Sequence, residues 1–354
     1  MSGSNVTYSG RDVAASPPPD APVWRLGRRL VTVPTFLTLT ALATLLLPIL
    51  LPLCWAVSLF PKARGALRSG AFLLSYLWCE SIGIVVSGWL WLRHGLPTRA
   101  SGRRWQLFLD GNFGLQCWWA NALKVAAERV FSLRFTVVGA EALDGPPAIM
   151  LPRHASIADT VIPMVFYAIP RQIRLRYVLK RELLLDPCLD IVGNRLPNCF
   201  VARSGADAEA DIERVTALAR GLGANEGLLI YPEGTRFSRQ RQQRILAALA
   251  NRVSAAELER MRAWTELLPP RPGGARALIA AAPNRDLLFC AHAGFEGASH
   301  FRTLINGSWI GADIRIRFWR IDHRDVPTEE TEQRAFLFTQ WDRMQETVVE
   351  LQRK

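Results

Sequence analysis

The chain has 354 residues, with 43 Lys and Arg against 31 Asp and Glu, a net charge of +12. Hydrophobic residues make up 49% and charged residues 21%, which excludes a disordered, collagen-like or disulfide-stapled chain. The length allows one or two domains, and the basic balance suits nucleic acid, an anionic lipid surface or a phosphorylated small molecule.

The order of elements favours lipid. Residues 1–22 are rich in Ser, Gly and Pro, including Pro17, Pro18 and Pro19, and read as a disordered tail. From Val31 to Phe60 thirty residues pass without a charge, enough to cross or deeply enter a bilayer. The region before them is too long for a signal peptide, and no small-residue cleavage site follows. A cationic stretch, Pro61–Arg68, precedes a second apolar segment from about Ser69 to Leu92 with Glu80 near its middle. An acid at that depth is expected to face protein, a headgroup or the partner helix. Were both segments to span, Lys62, Arg64 and Arg68 would stand on the far side, against the positive-inside bias. Pro48 and Pro52 offer breaks that would let the pair dip into one leaflet. The expectation is a helical hairpin anchor over 23–93, its depth left open.

Residues 94–354 read as a water-facing α/β domain. Arg104–Leu133 has the pattern of an amphipathic helix carrying the Trp118–Trp119 pair, suited to a membrane interface or to a core. Apolar runs bounded by breakers then recur at Phe135–Val138, Ala148–Leu151, Leu175–Leu179, Cys199–Ala202, Leu228–Tyr231 and Leu287–Ala291. Ile314, Ile316 and Phe318 alternate with Arg315, Arg317 and Trp319, as in a half-exposed strand. Helical patterns intervene at Ala206–Leu222, Arg239–Trp264 and Thr328–Leu351. The fold class expected is α/β, a mixed and largely parallel sheet covered by helices. Six scattered cysteines without metal or disulfide spacing fit a reducing compartment. The charge is diffuse and no nucleic-acid-binding motif is present, so no nucleic-acid partner is expected.

Several chemistry-bearing groups follow strand-like runs, where α/β sheets place their sites. His154-Ala-Ser-Ile-Ala-Asp159 allows an imidazole to take a proton while a carboxylate fixes its tautomer, although the same spacing suits a plain helix start. Tyr231-Pro-Glu-Gly-Thr-Arg236 reads as a turn able to present donors to an anionic oxygen, or as an ordinary Pro/Gly turn with an ion pair. Phe200-Val-Ala-Arg203 ends a strand on a cation able to clamp a phosphate. Lys180 and Glu182 follow another run, and Leu268–Gly274 is a breaker cluster that would bring Arg271 near a site. The segment Ser238–Leu267 is cationic with one apolar face, fit for a bilayer surface or for a core.

In order these motifs resemble the glycerolipid acyltransferases typified by 1-acylglycerol-3-phosphate acyltransferases, over about Phe135 to Gly274, with an apolar hairpin ahead as many members have. His154 and Asp159 match the family's catalytic motif, and Glu233, Gly234, Thr235 and Arg236 match its phosphate-site motif at all four positions. The resemblance implies that His154 is the general base and Asp159 its orienting partner. It also implies that Arg203 and Arg236 bind the acceptor phosphate in a pocket shaped by Glu233, Gly234 and Thr235, with Lys180 adding charge. Acyl transfer from acyl-CoA or acyl carrier protein to a lysophospholipid is then expected, by default 1-acylglycerol-3-phosphate to phosphatidic acid. Neither metal nor cofactor is expected, the thioester being a co-substrate. The expected enzyme sits on a lipid bilayer with its catalytic domain on the cytoplasmic face. Another lipid acceptor, or a catalytically silent lipid-binding protein of the same fold, are the alternatives. Arg153 stands where the family usually has Asn, and Pro197 where it has Gly three residues before Phe200. The first departure bears on headgroup preference and the second on the turn feeding the strand.

Overall fold

The computed structural model describes residues 22–95, 102–201, 208–295 and 304–353. The tail expected over 1–22 lies, apart from Pro22, outside them. The first apolar segment forms helices α1 (Pro22–Leu45) and α2 (Leu47–Ser58), bent by 77° at Leu46. Pro48 stands in the first turn of α2, where its missing N–H would be unpaired in any case. Pro48 therefore marks the break, whereas Pro52, expected as a second one, is carried inside α2. The second segment forms α3 (Ala66–Leu90). The stretch Pro61–His94 is long and apolar enough to cross a membrane, and α1 with α2 passes the same test only as a bent pair. Leu42, Leu45, Ile49, Leu53, Trp55, Val85 and Trp89 all face outward, an apolar surface that water alone disfavours.

The hairpin is docked to the rest of the protein by polar contacts as well. Helix α4 (Gly102–Phe131) packs along α3, and Trp119 on it donates to Glu80 Oε1 at 2.6 Å. The second oxygen of the fully buried Glu80 accepts from the Cys188 backbone N–H at 3.2 Å. This acid faces protein because two donors satisfy it there. The Tyr76 hydroxyl donates to Asp186 at 2.6 Å, and Arg28 and Arg29 converge on the buried Asp190 at 2.7 and 2.9 Å.

The remaining elements alternate: β1 (Arg134–Val138), β2 (Ile149–Pro152), α5 (Ile169–Arg171), β3 (Arg174–Lys180), α6 (Pro187–Gly193), β4 (Cys199–Val201), α7 (Ala208–Leu218) and β5 (Glu226–Leu229). Then come α8 (Arg239–Leu249), α9 (Ala255–Ala263), α10 (Pro272–Ala281), β6 (Leu287–Ala293), β7 (Asp313–Ile321) and α11 (Glu330–Arg353). The strands form one mixed sheet in the order β1-β7-β6-β2-β5-β3-β4. Strands β2 to β6 run parallel, β7 is antiparallel to β6, and β1 follows β7. Every residue of β2 and β6 is buried, as expected of central strands covered on both faces. Ile149, Leu151, Phe289 and Ala291 pack against Leu278 of α10 and Trp341 and Met344 of α11. The alternate residues Met150, Leu288, Cys290 and Ile316 point to the other face, against Phe131 of α4 and Ile162, Met164 and Tyr167.

The single helix expected over Arg239–Trp264 is two. Ser254 Oγ accepts from the Glu257 N–H at 3.2 Å and caps a fresh helix start, which ends the helical path after Leu249. Leu246, Leu249, Val253 and Met261 pack on the sheet-side core, so this segment's apolar face is used inside the protein. Of the tryptophan pair, Trp118 is exposed and Trp119 packs on the core.

Candidate active site

The five parallel strands bring their C-terminal ends to one edge of the sheet. His292 lies near the end of β6, His154 two residues past β2, and Tyr231–Arg236 just past β5. Lys180 closes β3 opposite Val201 of β4. Arg203 lies two residues beyond that strand and outside the described residues.

The apolar β2 stops at Pro152, and Arg153 adds one last ladder bond, its N–H donating to Cys290 O at 3.0 Å. The chain then turns through 154–157 into a short 3-10 turn, Ala158–Val161, that carries Asp159. Asp159 folds back over this turn, Oδ2 accepting from the Ala155 and Ser156 N–H groups at 2.6 and 2.7 Å. Its Oδ1 is left for His154 Nδ1 at 3.0 Å. A carboxylate oxygen facing Nδ1 places the proton there and leaves Nε2 as the basic nitrogen. Tyr231 packs its ring 4.5 Å from the imidazole and directs its hydroxyl to Asp159 O at 3.4 Å. Burial pushes the Asp159 carboxyl up, but the attraction of His154 and hydrogen bonds from His154 and His292 together hold it well below the usual carboxylate range.

Glu233 is fully buried beside this pair. Its Oε1 accepts from the His154 N–H at 2.7 Å and its Oε2 from the Leu268 N–H at 2.9 Å. Both oxygens are thus turned to backbone, joining the His154 loop to the chain after α9. Burial pushes the Glu233 carboxyl up to about 8, against the pull of those two donors. The folded state therefore holds a proton that the unfolded chain releases near pH 4.3, and this contribution to stability is lost as pH rises toward 8. Glu233→Gln keeps one acceptor and leaves one N–H facing an amide, which is expected to cost roughly 1–3 kcal/mol. Denaturation midpoints across pH 4–9 check this, with the deficit widest at the acid end and narrowing toward pH 8.

Gly234 sits at φ +64°, in the left-handed region, and its N–H closes the turn onto Tyr231 O at 2.9 Å. A Cβ there would meet Arg271 Cδ at 3.3 Å, so the Pro-rich turn does approach the site. The Arg271 N–H donates to Pro232 O at 2.7 Å and pins the two turns together. Thr235 and Arg236 follow, both half-buried, with the Arg236 carbonyl held by the Arg241 guanidinium. Lys180 stands two strands away from the His154 turn on the same edge.

Arg153 has a place that its sequence position did not suggest. It is completely buried, donating to His292 O at 2.6 Å and to Glu266 O at 3.0 Å. Its cation braces the loops behind His154, and a direct effect on headgroup choice is not what these contacts provide. Two groups that sequence reasoning passed over join the site here: His292, whose Nε2 lies 3.4 Å from Asp159 Oδ2, and the 266–268 backbone. A histidine inside an otherwise apolar strand run was the available signal for the first. The second had none, since its contacts are main-chain.

Residues 134–290 match the family model described as Acyltransferase. No curated protein matches the chain. Among solved structures the chain is similar to the crystal structure of the 1-acyl-sn-glycerophosphate (LPA) acyltransferase, PlsC, from Thermotoga maritima. The TM-score is 0.51 at 15% identity, covering 83% of this chain and 99% of that one. At that identity the likeness speaks for the shared fold.

Proposed function

We propose that this protein, whose residues 134–290 match the Acyltransferase family model, moves an acyl chain from acyl-CoA or acyl carrier protein to the free hydroxyl of a lysophospholipid. The default acceptor is 1-acylglycerol-3-phosphate and the product phosphatidic acid. The carrying observation is the His154 Nδ1 to Asp159 Oδ1 contact at 3.0 Å, with Asp159 fixed by two backbone donors.

In the reaction so read, His154 Nε2 accepts the proton of the acceptor hydroxyl as its oxygen bonds to the thioester carbonyl carbon. The tetrahedral adduct collapses, the C–S bond breaks, and the departing thiolate takes that proton from His154. Asp159 orients the ring and stabilises the imidazolium between the two transfers. Arg236, with Arg203 and Lys180, supplies positive charge for the acceptor phosphate, and Gly234 and Thr235 shape the approach to it. The thioester is already activated, so the step as written draws on no metal or cofactor.

The outward apolar surface of the bent hairpin supports attachment to a lipid bilayer, where both acceptor and product dissolve. Placement of the catalytic domain on the cytoplasmic face rests on its cysteine usage, its four thiols, Cys117, Cys188, Cys199 and Cys290, being free.

Arg236→Ala tests the phosphate assignment. The apparent KM for 1-acylglycerol-3-phosphate should rise about 10- to 100-fold with kcat little changed, as for loss of a charge-assisted pair. Monoacylglycerol, which lacks the phosphate, should be turned over equally by both proteins. An equal KM rise for the two acceptors would remove Arg236 from the phosphate site. Turnover of a different lysophospholipid alone would keep the mechanism and replace the acceptor.

A further inference from the structure

His292 is completely buried near the end of β6, and nothing in the reaction above uses it. Its Nε2 faces two acceptors, Arg153 O at 3.2 Å and Asp159 Oδ2 at 3.4 Å. With acceptors on that side, Nε2 carries a proton and shares it between them. Its Nδ1 is buried and has no partner among the described residues, so one ring nitrogen has been sacrificed to direct the other. Asp159 Oδ2 then has three donors, the Ala155 and Ser156 N–H groups and His292 Nε2, which among the described residues leaves Oδ1 to His154.

We propose that His292 is a positioning residue of the His154–Asp159 pair: its Nε2–H, split between Arg153 O and Asp159 Oδ2, locks the carboxylate rotation that aims Oδ1 at His154. The inference rests on the acyl-transfer reading for its catalytic consequence, though the coupling between the two imidazoles does not. Arg153 completes the clasp, since its guanidinium holds His292 O at 2.6 Å while its own carbonyl receives the imidazole proton.

Among the described residues, the charged and titratable groups around His292 are few. Asp159 faces Nε2, and the Arg153 guanidinium, itself against Glu266, lies on its carbonyl. From β7 the neighbour across the ladder is Ile316, and the ring of Phe295 packs edge-on at a centroid distance of 5.8 Å. Removing the donor frees the carboxylate to rotate, so Oδ1 no longer fixes the proton on His154 Nδ1 and the ring divides between its two tautomers.

The test compares His292→Leu, which removes the donor, with His292→Gln, which keeps an amide N–H at similar reach. In His292→Leu kcat should fall about 10- to 100-fold through misaimed Oδ1. The acceptor KM should stay unchanged. His292→Gln should recover most of the lost rate. In parallel, the full chain is labelled with 15N-histidine and titrated in detergent, which needs no turnover. Wild-type protein should show the His292 proton on Nε2 and the His154 proton on Nδ1, and in His292→Leu the His154 ring should divide between the two tautomers. A proton found on Nδ1 in the wild type overturns the proposal even if the variants fail to fold. So does a folded His292→Leu whose His154 proton stays wholly on Nδ1. The tautomer change without transfer to any acceptor would retain the coupling and reject the acyl-transfer reading.

Discussion

Replacing His154 by Ala is expected to lower acyl transfer by about 10²- to 10⁴-fold, the usual contribution of a positioned general base. The expectation follows from where the ring sits. Nδ1 is committed to Asp159, Tyr231 covers one side, and the side chain stays partly open, as the proposed approach of a hydroxyl to Nε2 requires. The loss should appear in kcat, because Lys180 and Arg236, the described cations proposed for the phosphate, follow neighbouring strands and are untouched. The fold should survive, since the tie from Glu233 reaches the backbone N–H of residue 154 and not its side chain. Initial rates and a thermal melt on the same preparation check both halves. A variant with near-wild-type turnover would leave His154 without a catalytic role.

Asp159→Asn is expected to be comparably damaging, at about 10³- to 10⁴-fold in kcat, because it reverses a tautomer and leaves the packing in place. The Ala155 and Ser156 N–H groups require an oxygen where Oδ2 now lies. An asparagine satisfying them turns its NH2 to His154 Nδ1, which must then accept, and the proton moves to Nε2. The base is thereby blocked. The stability effect has a definite sign. Asp159 is held below the usual carboxylate range, against about 3.9 in an unfolded chain, so its contribution is present above that pH and lost as pH falls through its folded value. The asparagine variant should lose this acid dependence. Urea midpoints from pH 3 to 7 would show a flatter acid limb, and an unchanged limb would mean that the native carboxylate is not ionised by its partners.

Much of this arrangement could be read along the chain because it is local. Each of the seven strands coincides with an apolar run or an alternating one, and the His154–Asp159 bond spans five residues. The turn at Gly234 announces itself through a Pro and a Gly after a buried strand. What escaped is long-range and mostly main-chain. Glu233 reads as a pocket residue in its motif, yet its two oxygens go to N–H groups 79 residues before it and 35 after it. Arg153 looks like a cation free to meet a headgroup until β6 places the His292 carbonyl beside it. The break between α8 and α9 turns on Ser254, whose capping role depends on a helix restart that the continuous apolar face conceals. Helix α11 carried no functional signal. Its Trp341 donates to Leu268 O at 3.1 Å and Gln345 accepts from the Glu266 N–H at 2.9 Å, so it supports the backbone that receives Glu233 and Arg153.

The central claim is the transfer itself, catalysed by His154 with Asp159. The most direct measurement is acyl transfer from labelled acyl-CoA, and in parallel from an acyl carrier protein thioester, by the purified full chain in mixed micelles containing 1-acylglycerol-3-phosphate. Wild-type protein should yield labelled phosphatidic acid with stoichiometric release of thiol, and His154→Ala and Asp159→Asn should yield almost none. Absence of transfer from both donors to this acceptor and to a panel of other lysophospholipids, by protein that is folded and lipid-bound, would contradict it.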